Sequence, residues 1–145
     1  MRGTTNVPCV CVIMEQDDKV LFLLRGDIDW KPNEFVVPSG HVEDNETFMQ
    51  AATREVLEEV GLAIEPKDLE YKGLVHRKAP GSIRIDVWFL AKQYSGSPQN
   101  KEPTTHRKIE WVNPQQLPPN TVDYIRFGLD MIRNGRQYGE FGWND

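Results

Sequence analysis

The sequence lacks the features that mark membrane, secreted and repeat proteins. No apolar run approaches the roughly 18 residues that a membrane-spanning helix needs, and residues 1–8 lack the apolar stretch of a signal peptide. The 10 prolines and 11 glycines are scattered over 145 residues and form no low-complexity tract. We therefore expect a single domain over residues 1–145, located in the cytoplasm and without a membrane partner.

Positive charge is in the minority as well. The formal net charge is −5 at pH 7. Binding to duplex nucleic acid requires a basic surface that pairs with the phosphates, so we do not expect duplex nucleic acid as a partner. An acidic protein that handles phosphates usually recruits metal cations for the purpose. Lysine is absent from residues 44–65, a stretch that is otherwise rich in glutamate.

The hydrophobic pattern predicts strands separated by two helices. The predicted strands are rich in β-branched and apolar residues, and they cover residues 8–14, 20–24, 69–77, 83–92 and 107–112. Cys9 and Cys11 lie on one face of the first strand, where they are badly placed to bridge each other, so we expect buried free thiols. The order of elements is typical of an α+β fold, an α/β/α sandwich in which a mixed sheet packs between helices.

The first helix is the clearest element. Asp44 or Asn45 is expected to cap its start after a turn at residues 39–41, and Gly61 is expected to end it. Its apolar stripe recurs every three or four residues and comprises Met49, Ala52, Val56 and Val60. A second helix is predicted over residues 121–134. The aromatic tail at residues 136–145 is expected to dock on the domain.

Three glutamates, Glu55, Glu58 and Glu59, share one face of the first helix beside its apolar stripe. Like charges at these spacings repel each other by about 0.2–0.5 kcal/mol per pair. Such a face is usually a solvated surface, but a solvated face would normally interleave lysines. A divalent cation relieves the repulsion instead, and Mg²⁺ in particular takes oxygen ligands.

The residues around these glutamates fill a known pattern. Gly40 is followed by Glu46 and then, after seven residues, by Arg-Glu-Val-Leu-Glu-Glu-Val-Gly-Leu at 54–62. This stretch matches every fixed position of the Nudix box, G-x5-E-x7-R-E-U-x-E-E-x-G-U, in which U is a bulky aliphatic residue. The chain thus resembles the Nudix hydrolases over residues 40–62, and outside this box it looks most similar to the MutT-like nucleoside triphosphate pyrophosphohydrolases.

The resemblance implies a hydrolase that uses Mg²⁺, with Mn²⁺ as the other candidate, to cleave a nucleoside diphosphate linked to another group X. The implied metal ligands are oxygen atoms of the box and of one later loop: Gly40, Glu55, Glu58, Glu59 and Glu102. The implied catalytic machinery combines carboxylates with the ion pair that orients them: Glu58, Glu59, Arg54 and Glu46. One of the glutamates, or a carboxylate from a later loop, would deprotonate the attacking water.

Four residues are candidates for substrate binding: Arg25, Trp30, His41 and Asn120. By resemblance, Arg25 would offer a cation to the nucleotide, His41 would reach the phosphates and Asn120 would read the base. Trp30 could stack on a base. The alternatives are a surface arginine, a locally bonded histidine, a helix N-cap at Asn120 and a tryptophan that covers the core. His76 and His106 have no recognisable partners in the sequence.

The resemblance leaves several substrates and roles open. Hydrolysis of a nucleoside triphosphate, modified or not, to the monophosphate and pyrophosphate is its most direct implication. ADP-ribose, a nucleotide sugar and a capped RNA end are alternative substrates. A nucleotide-sensing module without turnover is an alternative of another class, which the intact Arg54 and the three helix glutamates disfavour. Nudix proteins often pair, so a homodimer stays open, although no stretch of the sequence forces an interface.

Overall fold

Over residues 5–143, the fold consists of eight strands with two α-helices inserted between them. The computed structural model describes residues 5–143. Within that range the elements are β1 (Asn6–Gln16), β2 (Lys19–Arg25), β3 (Phe35–Val36), β4 (Ser39–His41), α1 (Phe48–Val60), β5 (Leu69–Ala79), β6 (Ser82–Ala91), β7 (His106–Val112), α2 (Asp123–Arg133) and β8 (Tyr138–Phe141). No helix between residues 5 and 143 is long and apolar enough to cross a membrane.

The strands form one mixed sheet of order β3-β2-β1-β6-β5-β8, with β4 pairing to β1 and β7 to β2. β1 pairs in parallel with β6, and β5 pairs in parallel with β8, whereas β1 with β2 and β5 with β6 are antiparallel hairpins. The helix α1 packs on β1 and β4, and α2 packs on β5 and β8. The predicted sandwich of a mixed sheet with helices is therefore confirmed.

The central strand β1 is buried continuously from Cys9 to Met14. Such a run is typical of a strand covered on both faces of its sheet. Cys9 and Cys11 are buried free thiols, as predicted. Trp88 of β6 is also fully buried, and Gly128 of α2 lies against its indole, where any side chain on the helix would overlap the ring.

The start of α1 differs from the prediction. Its N-cap is Thr47, whose hydroxyl accepts the Gln50 N–H while the Gln50 side chain accepts the Thr47 N–H. This reciprocal capping box satisfies two backbone donors, so the prediction of Asp44 or Asn45 as the cap was wrong. Gly61 ends the helix as predicted, with a left-handed φ of 76°.

The buried stripe of α1 also differs at its first turn. Met49 is 38% exposed, so its assignment to the stripe was wrong. Phe48, four residues before Ala52, packs against the core in its place. The residues of the helix that are fully buried against the sheet are Ala51, Ala52, Val56 and Val60.

Two connecting segments become strands. Residues 39–41, predicted as a turn, form β4, in which Ser39 pairs with Cys11 and His41 with Cys9. The prediction of a turn was wrong because the pairing partner lies far away in the chain. The tail docks as predicted, since β8 extends the sheet beside β5 and Trp143 Nε1 donates to the His76 carbonyl at 2.9 Å. Residues 144 and 145 of that predicted tail lie outside the described residues.

Candidate active site

The three helix glutamates differ in their burial. Glu59 is 9% exposed, and its Oε1 accepts the Ser39 N–H at 3.1 Å. The carboxylate of Glu55 lies against Gly40, so closely that a Cβ built at position 40 would overlap it. The side chain of Glu58 is 50% exposed. The packing of α1 on β4 therefore places two of the carboxylates in the interior beside Gly40 and the third at the solvent boundary.

Arg54 connects the glutamates of this site. Its Nε and Nη2 donate to the two carboxylate oxygens of Glu46 at 2.6 and 3.1 Å, so the expected ion pair is present. Nη1 donates to Glu55 at 3.0 Å and to Glu58 at 3.2 Å, and Nη2 also donates to the His41 carbonyl at 2.9 Å. A planar guanidinium with several fixed donors suits this bridging position better than a lysine ammonium.

The electrostatics of the buried carboxylates favour a cation nearby. Burial raises the pKa of Glu55 to about 7, although Arg54 opposes the shift. Burial, followed by the charge of Glu55, raises the pKa of Glu59 well above its ordinary value. Burial also raises the pKa of Glu102, with a further contribution from Glu58. Crowded acids of this kind are costly as bare anions, and a divalent cation offsets that cost.

A second group of residues, from the loop before β7 and the start of that strand, lies beside Glu59. Ligand atoms of Glu59, Glu102 and His106 all lie within 4.8 Å of one another. Asn100 holds the loop in place, because its side chain donates to the His106 carbonyl at 2.8 Å and accepts the Glu102 N–H at 3.1 Å. Burial, then the charge of Arg25, lowers the pKa of His106 to about 4. The ring is therefore neutral at pH 7.

These residues fit a divalent cation. Carboxylate and carbonyl oxygens are the ligands that Mg²⁺ and Mn²⁺ take, and Glu55, Glu58, Glu59, Glu102 and Gly40 supply them. The absence of a side chain at Gly40 leaves its backbone open to the Glu55 carboxylate. His106 was missed in the sequence; its spacing of four residues from Glu102 is the one signal that pairs the two.

A cleft of about 660 Å³ opens beside Gly40 and Glu59, a size suited to a small-molecule ligand. Its walls carry several cationic side chains: Arg25, Lys31, Arg77, Lys78 and Arg84. Arg25 Nε donates to the Trp30 carbonyl at 2.9 Å, and its guanidinium lies 4.6 Å from the centre of the Trp30 ring. Trp30 is 47% exposed and contacts Tyr124 at 6.2 Å between ring centres.

The cleft is also lined by a buried ion pair, Arg77 with Asp86, that was not predicted from the sequence. Arg77 donates to both carboxylate oxygens of Asp86, at 2.6 and 3.1 Å, and its guanidinium stacks 3.6 Å above the Tyr124 ring centre. The signal for Arg77 was its register, because it continues the alternate buried positions Gly73 and Val75 of β5. A charged residue at such an inward position requires a partner.

His41 and Asn120 are placed differently from the other candidates. His41 lines the cleft, but its Nε2 accepts a hydrogen bond from Arg84 at 2.7 Å, because a guanidinium can only donate. Burial, followed by the charge of Arg84, lowers the pKa of His41. The positive charge at this wall therefore belongs to Arg84.

Asn120 is exposed before α2, and its side chain donates to the Asn33 carbonyl at 2.9 Å. The structure does not bring it into the wall of the cleft. The alternative that it caps α2 is wrong, because the N-cap is Val122 and no side chain makes the capping bond.

Comparison with known proteins places this site in a family. The family model described as NUDIX domain matches residues 5–129. The ADP-ribose pyrophosphatase of Methanocaldococcus jannaschii is 41% identical over 128 residues, which cover 87% of this chain and 74% of that protein. The 8-oxo-dGTP diphosphatase of Escherichia coli (strain K12) is 28% identical over 113 residues, covering 76% of this chain and 85% of that protein.

Other relatives share only part of their length with this chain. The NAD-capped RNA hydrolase NudC of Pectobacterium carotovorum is 30% identical over 119 residues, and the match covers 79% of this chain but 43% of that protein. Among solved structures, a MutT Nudix hydrolase from Burkholderia pseudomallei superposes with a TM-score of 0.78 at 24% identity, over 87% of this chain and 97% of that one. The chain belongs to the NUDIX family and is a Nudix hydrolase, which confirms the expected enzyme class.

Proposed function

We propose that this chain hydrolyses the phosphoric anhydride of a nucleoside diphosphate linked to a group X, with a divalent cation held by the box carboxylates. The observation that carries the proposal is the cleft, which is lined by Gly40 and Glu59 and also by the cations Arg25 and Arg84. A carboxylate proposed to hold a metal and cations proposed to hold phosphates thereby line one cavity. The proposed partner is a small nucleotide, in keeping with the net charge of −5.

The proposed metal ligands are the oxygen atoms identified above, from Gly40, Glu55, Glu58, Glu59 and Glu102. Mg²⁺ is the proposed ion, with Mn²⁺ as the alternative. Such an ion, when bound, neutralises the diphosphate, activates the attacking water and stabilises the leaving phosphate. Arg54 and Glu46 act as positioning residues, because their ion pair holds Glu55 and Glu58 in place.

The proton of the attacking water needs a carboxylate that reaches solvent. Glu58 meets this condition, since its side chain is half exposed and its hydrogen bond from Arg54 leaves one oxygen available. Glu102 is the alternative from the later loop, where its side chain is 38% exposed. Glu59 is mostly buried and its Oε1 already accepts the Ser39 N–H, so we assign it to metal binding.

The remaining walls of the cleft hold the nucleotide. Trp30 and Tyr124 offer aromatic faces to a base, and Arg25 is fixed beside them by the Trp30 carbonyl. Arg84, with His41 bonded to it, is the proposed phosphate contact on the other side. Asn120 has no proposed role in base recognition, because its amide is engaged by Asn33 outside the cleft.

Two substrates have specific support. A nucleoside triphosphate, modified or not, suits the excess of cations along the cleft, and its products are the monophosphate and pyrophosphate. ADP-ribose is the second candidate, because the M. jannaschii relative named an ADP-ribose pyrophosphatase is 41% identical to this chain. Hydrolysis of ADP-ribose gives AMP and ribose 5-phosphate, so the products separate the two.

The test is product analysis in ¹⁸O-labelled water. The protein is incubated with Mg²⁺ and a panel of canonical and oxidised nucleoside triphosphates, ADP-ribose, nucleotide sugars and a capped RNA, and the products are identified by mass spectrometry. We expect turnover of at least one substrate, with label in one product of anhydride cleavage, and none by the Glu59→Gln variant. Binding without turnover across the panel would contradict the proposal and favour a sensing module.

A further inference from the structure

His106 is a buried histidine that lines the cleft beside Glu59 and Glu102. Its side chain is 2% exposed, and in the part of the chain described here Nδ1 is one of two buried side-chain atoms without a hydrogen-bond partner, the other being Trp88 Nε1. A buried polar atom without a partner is costly and calls for an explanation. Here the explanation lies in what faces the nitrogen.

The atom that faces Nδ1 is a carboxylate oxygen at a distance too long for a hydrogen bond. Oε1 of Glu102 lies 4.0 Å from Nδ1, and a carboxylate oxygen of Glu59 lies within 4.8 Å of ligand atoms of both Glu102 and His106. Two atoms that each bind one ion at about 2.0–2.2 Å lie up to about 4.4 Å apart. The separation of Nδ1 from Oε1 thus fits two ligands of a common cation.

The backbone holds the ring in this direction. The His106 N–H donates to the Glu102 carbonyl at 2.9 Å, and the His106 carbonyl accepts the Asn100 side chain at 2.8 Å. His106 also pairs with Arg25 at the point where the register between β2 and β7 shifts. The ligand direction is therefore built into the loop and the first residue of β7, and is independent of α1.

We propose that His106 is a nitrogen ligand of a divalent cation that Glu59 and Glu102 also bind, and that this position selects a transition metal such as Mn²⁺ or Co²⁺ over Mg²⁺. Imidazole binds first-row transition metals well, whereas Mg²⁺ takes oxygen ligands almost exclusively. The inference rests on the proposed function for the metal-binding role of Glu59 and Glu102. It adds a ligand of another element and hence a preference that an all-oxygen site lacks.

The test detects the nitrogen directly. The protein is loaded with Mn²⁺, and electron spin-echo envelope modulation is recorded for the wild type and for His106→Asn, His41→Asn and His76→Asn, which cover the three histidines of the chain. We expect modulation from a coordinated ¹⁴N in the wild type, its loss in His106→Asn, and its retention in the other two variants. Modulation that is absent in the wild type, or that survives in His106→Asn, overturns the proposal.

Binding titrations measure the selectivity. The Mn²⁺ affinity of His106→Asn should fall about tenfold or more, the size of effect typical when a metal site loses a supporting group. Its Mg²⁺ affinity should change by less than about threefold. Equal effects on the two ions contradict the proposal. Should His106→Asn fail to fold, ¹⁵N-histidine labelling replaces it: the modulation must change to that of ¹⁵N in the wild type and in both His41→Asn and His76→Asn, which leaves His106 as the ligand.

The two proposals fail in different ways. If the metal-binding part of the proposed function is wrong, the wild-type protein binds no divalent cation in the cleft, and Glu59→Gln binds Mn²⁺ and Mg²⁺ as the wild type does. If only the role of His106 is wrong, Glu59→Gln loses both ions while His106→Asn retains the wild-type preference.

Discussion

The guanidinium of Arg54 and the carboxylate of Glu46 form a two-pronged ion pair, with N–O distances of 2.6 and 3.1 Å. This pair joins the loop before α1 to the second turn of the helix. The free edge of the same guanidinium then reaches Glu55 and Glu58. One side chain thus sets the positions of three carboxylates, and its planar shape matters as much as its charge.

Replacement of Arg54 by lysine should therefore lower activity although the charge is kept. An ammonium cannot make the paired bonds to Glu46 and still reach Glu55 and Glu58. We expect kcat to fall about 10- to 100-fold, the range typical for residues that support a metal site, with KM changed little. Arg133→Lys is the control, since Arg133 is exposed and its bond to the Pro114 carbonyl is 3.3 Å long. Wild-type kcat in Arg54→Lys would show that the paired hydrogen bonds of the guanidinium are unnecessary.

Glu59→Gln should lose activity by orders of magnitude and remain folded. The amide keeps the shape of the side chain, but removes a charge that Glu55 and Glu102 repel. Circular dichroism and thermal melting should therefore show a fold at least as stable as the wild type in the absence of divalent ions. Glu65→Gln is the matched control, because Glu65 is exposed and its ion pair with Lys67 is 3.8 Å long. A fully active Glu59→Gln would remove this residue from the metal site.

Gly40→Ala should disturb the site through the added methyl group. A Cβ at this position overlaps the Glu55 carboxylate, and overpacking of this kind costs about 1–3 kcal/mol. We expect loss of kcat and weaker metal binding by calorimetry. Gly135→Ala is the contrast, because Gly135 has a φ of 78° but open space around it. That variant should lose about 1–2 kcal/mol of stability with unchanged kcat. Equal kinetics in the two variants would be inconsistent with the placement of Glu55.

Divalent cations should stabilise the fold through the same carboxylates. A ligand at about a hundredfold above its Kd adds about 2.7 kcal/mol to the free energy of unfolding. We expect the melting temperature of the chelator-treated protein to rise with added Mg²⁺ or Mn²⁺ and activity to return with it. Glu59→Gln should show little of this rise, whereas Glu65→Gln should show all of it. A rise of the same size in both variants would place the ions elsewhere.

Trp30→Ala separates the two interpretations of this tryptophan. If its ring stacks on a base, the loss of about 1–3 kcal/mol should raise KM while kcat and thermal stability change little, and Trp30→Phe should recover part of the effect. If the ring only covers the core beside Tyr124, stability should fall and KM should stay constant. Trp143→Ala is the control, since Trp143 contacts His76 and Lys78.

Much of this protein could be predicted from residues that are close together in the chain. The spacing of Glu55, Glu58 and Glu59 predicted a charged helix face, and the box from Gly40 to Leu62 predicted the family. The end of α1 at Gly61 followed from glycine's access to left-handed angles. The predicted start of α1 at Asp44 or Asn45 was wrong because Thr47 and Gln50 form a reciprocal capping box further along the chain.

The cleft depended on contacts between distant segments. The pairing of β4 with β1 brings Gly40 against α1, and β7 with its preceding loop brings Glu102 and His106 to Glu59. The sequence near each strand does not determine how the strands align with their partners, because that alignment depends on the burial of whole strand faces. The same holds for the pair Arg77 and Asp86, and for the position of Asn120 beside Asn33.

The sequence by itself therefore determined the family, the helix that carries the acidic face and the kinds of ligand atom it offers. Only the tertiary structure decided which acids are buried, which cations share their cleft and that a histidine nitrogen faces them. The physical reason is distance along the chain. Helix periodicity and capping act within a few residues, whereas burial and the meeting of charges are set by how the strands of the sheet pair.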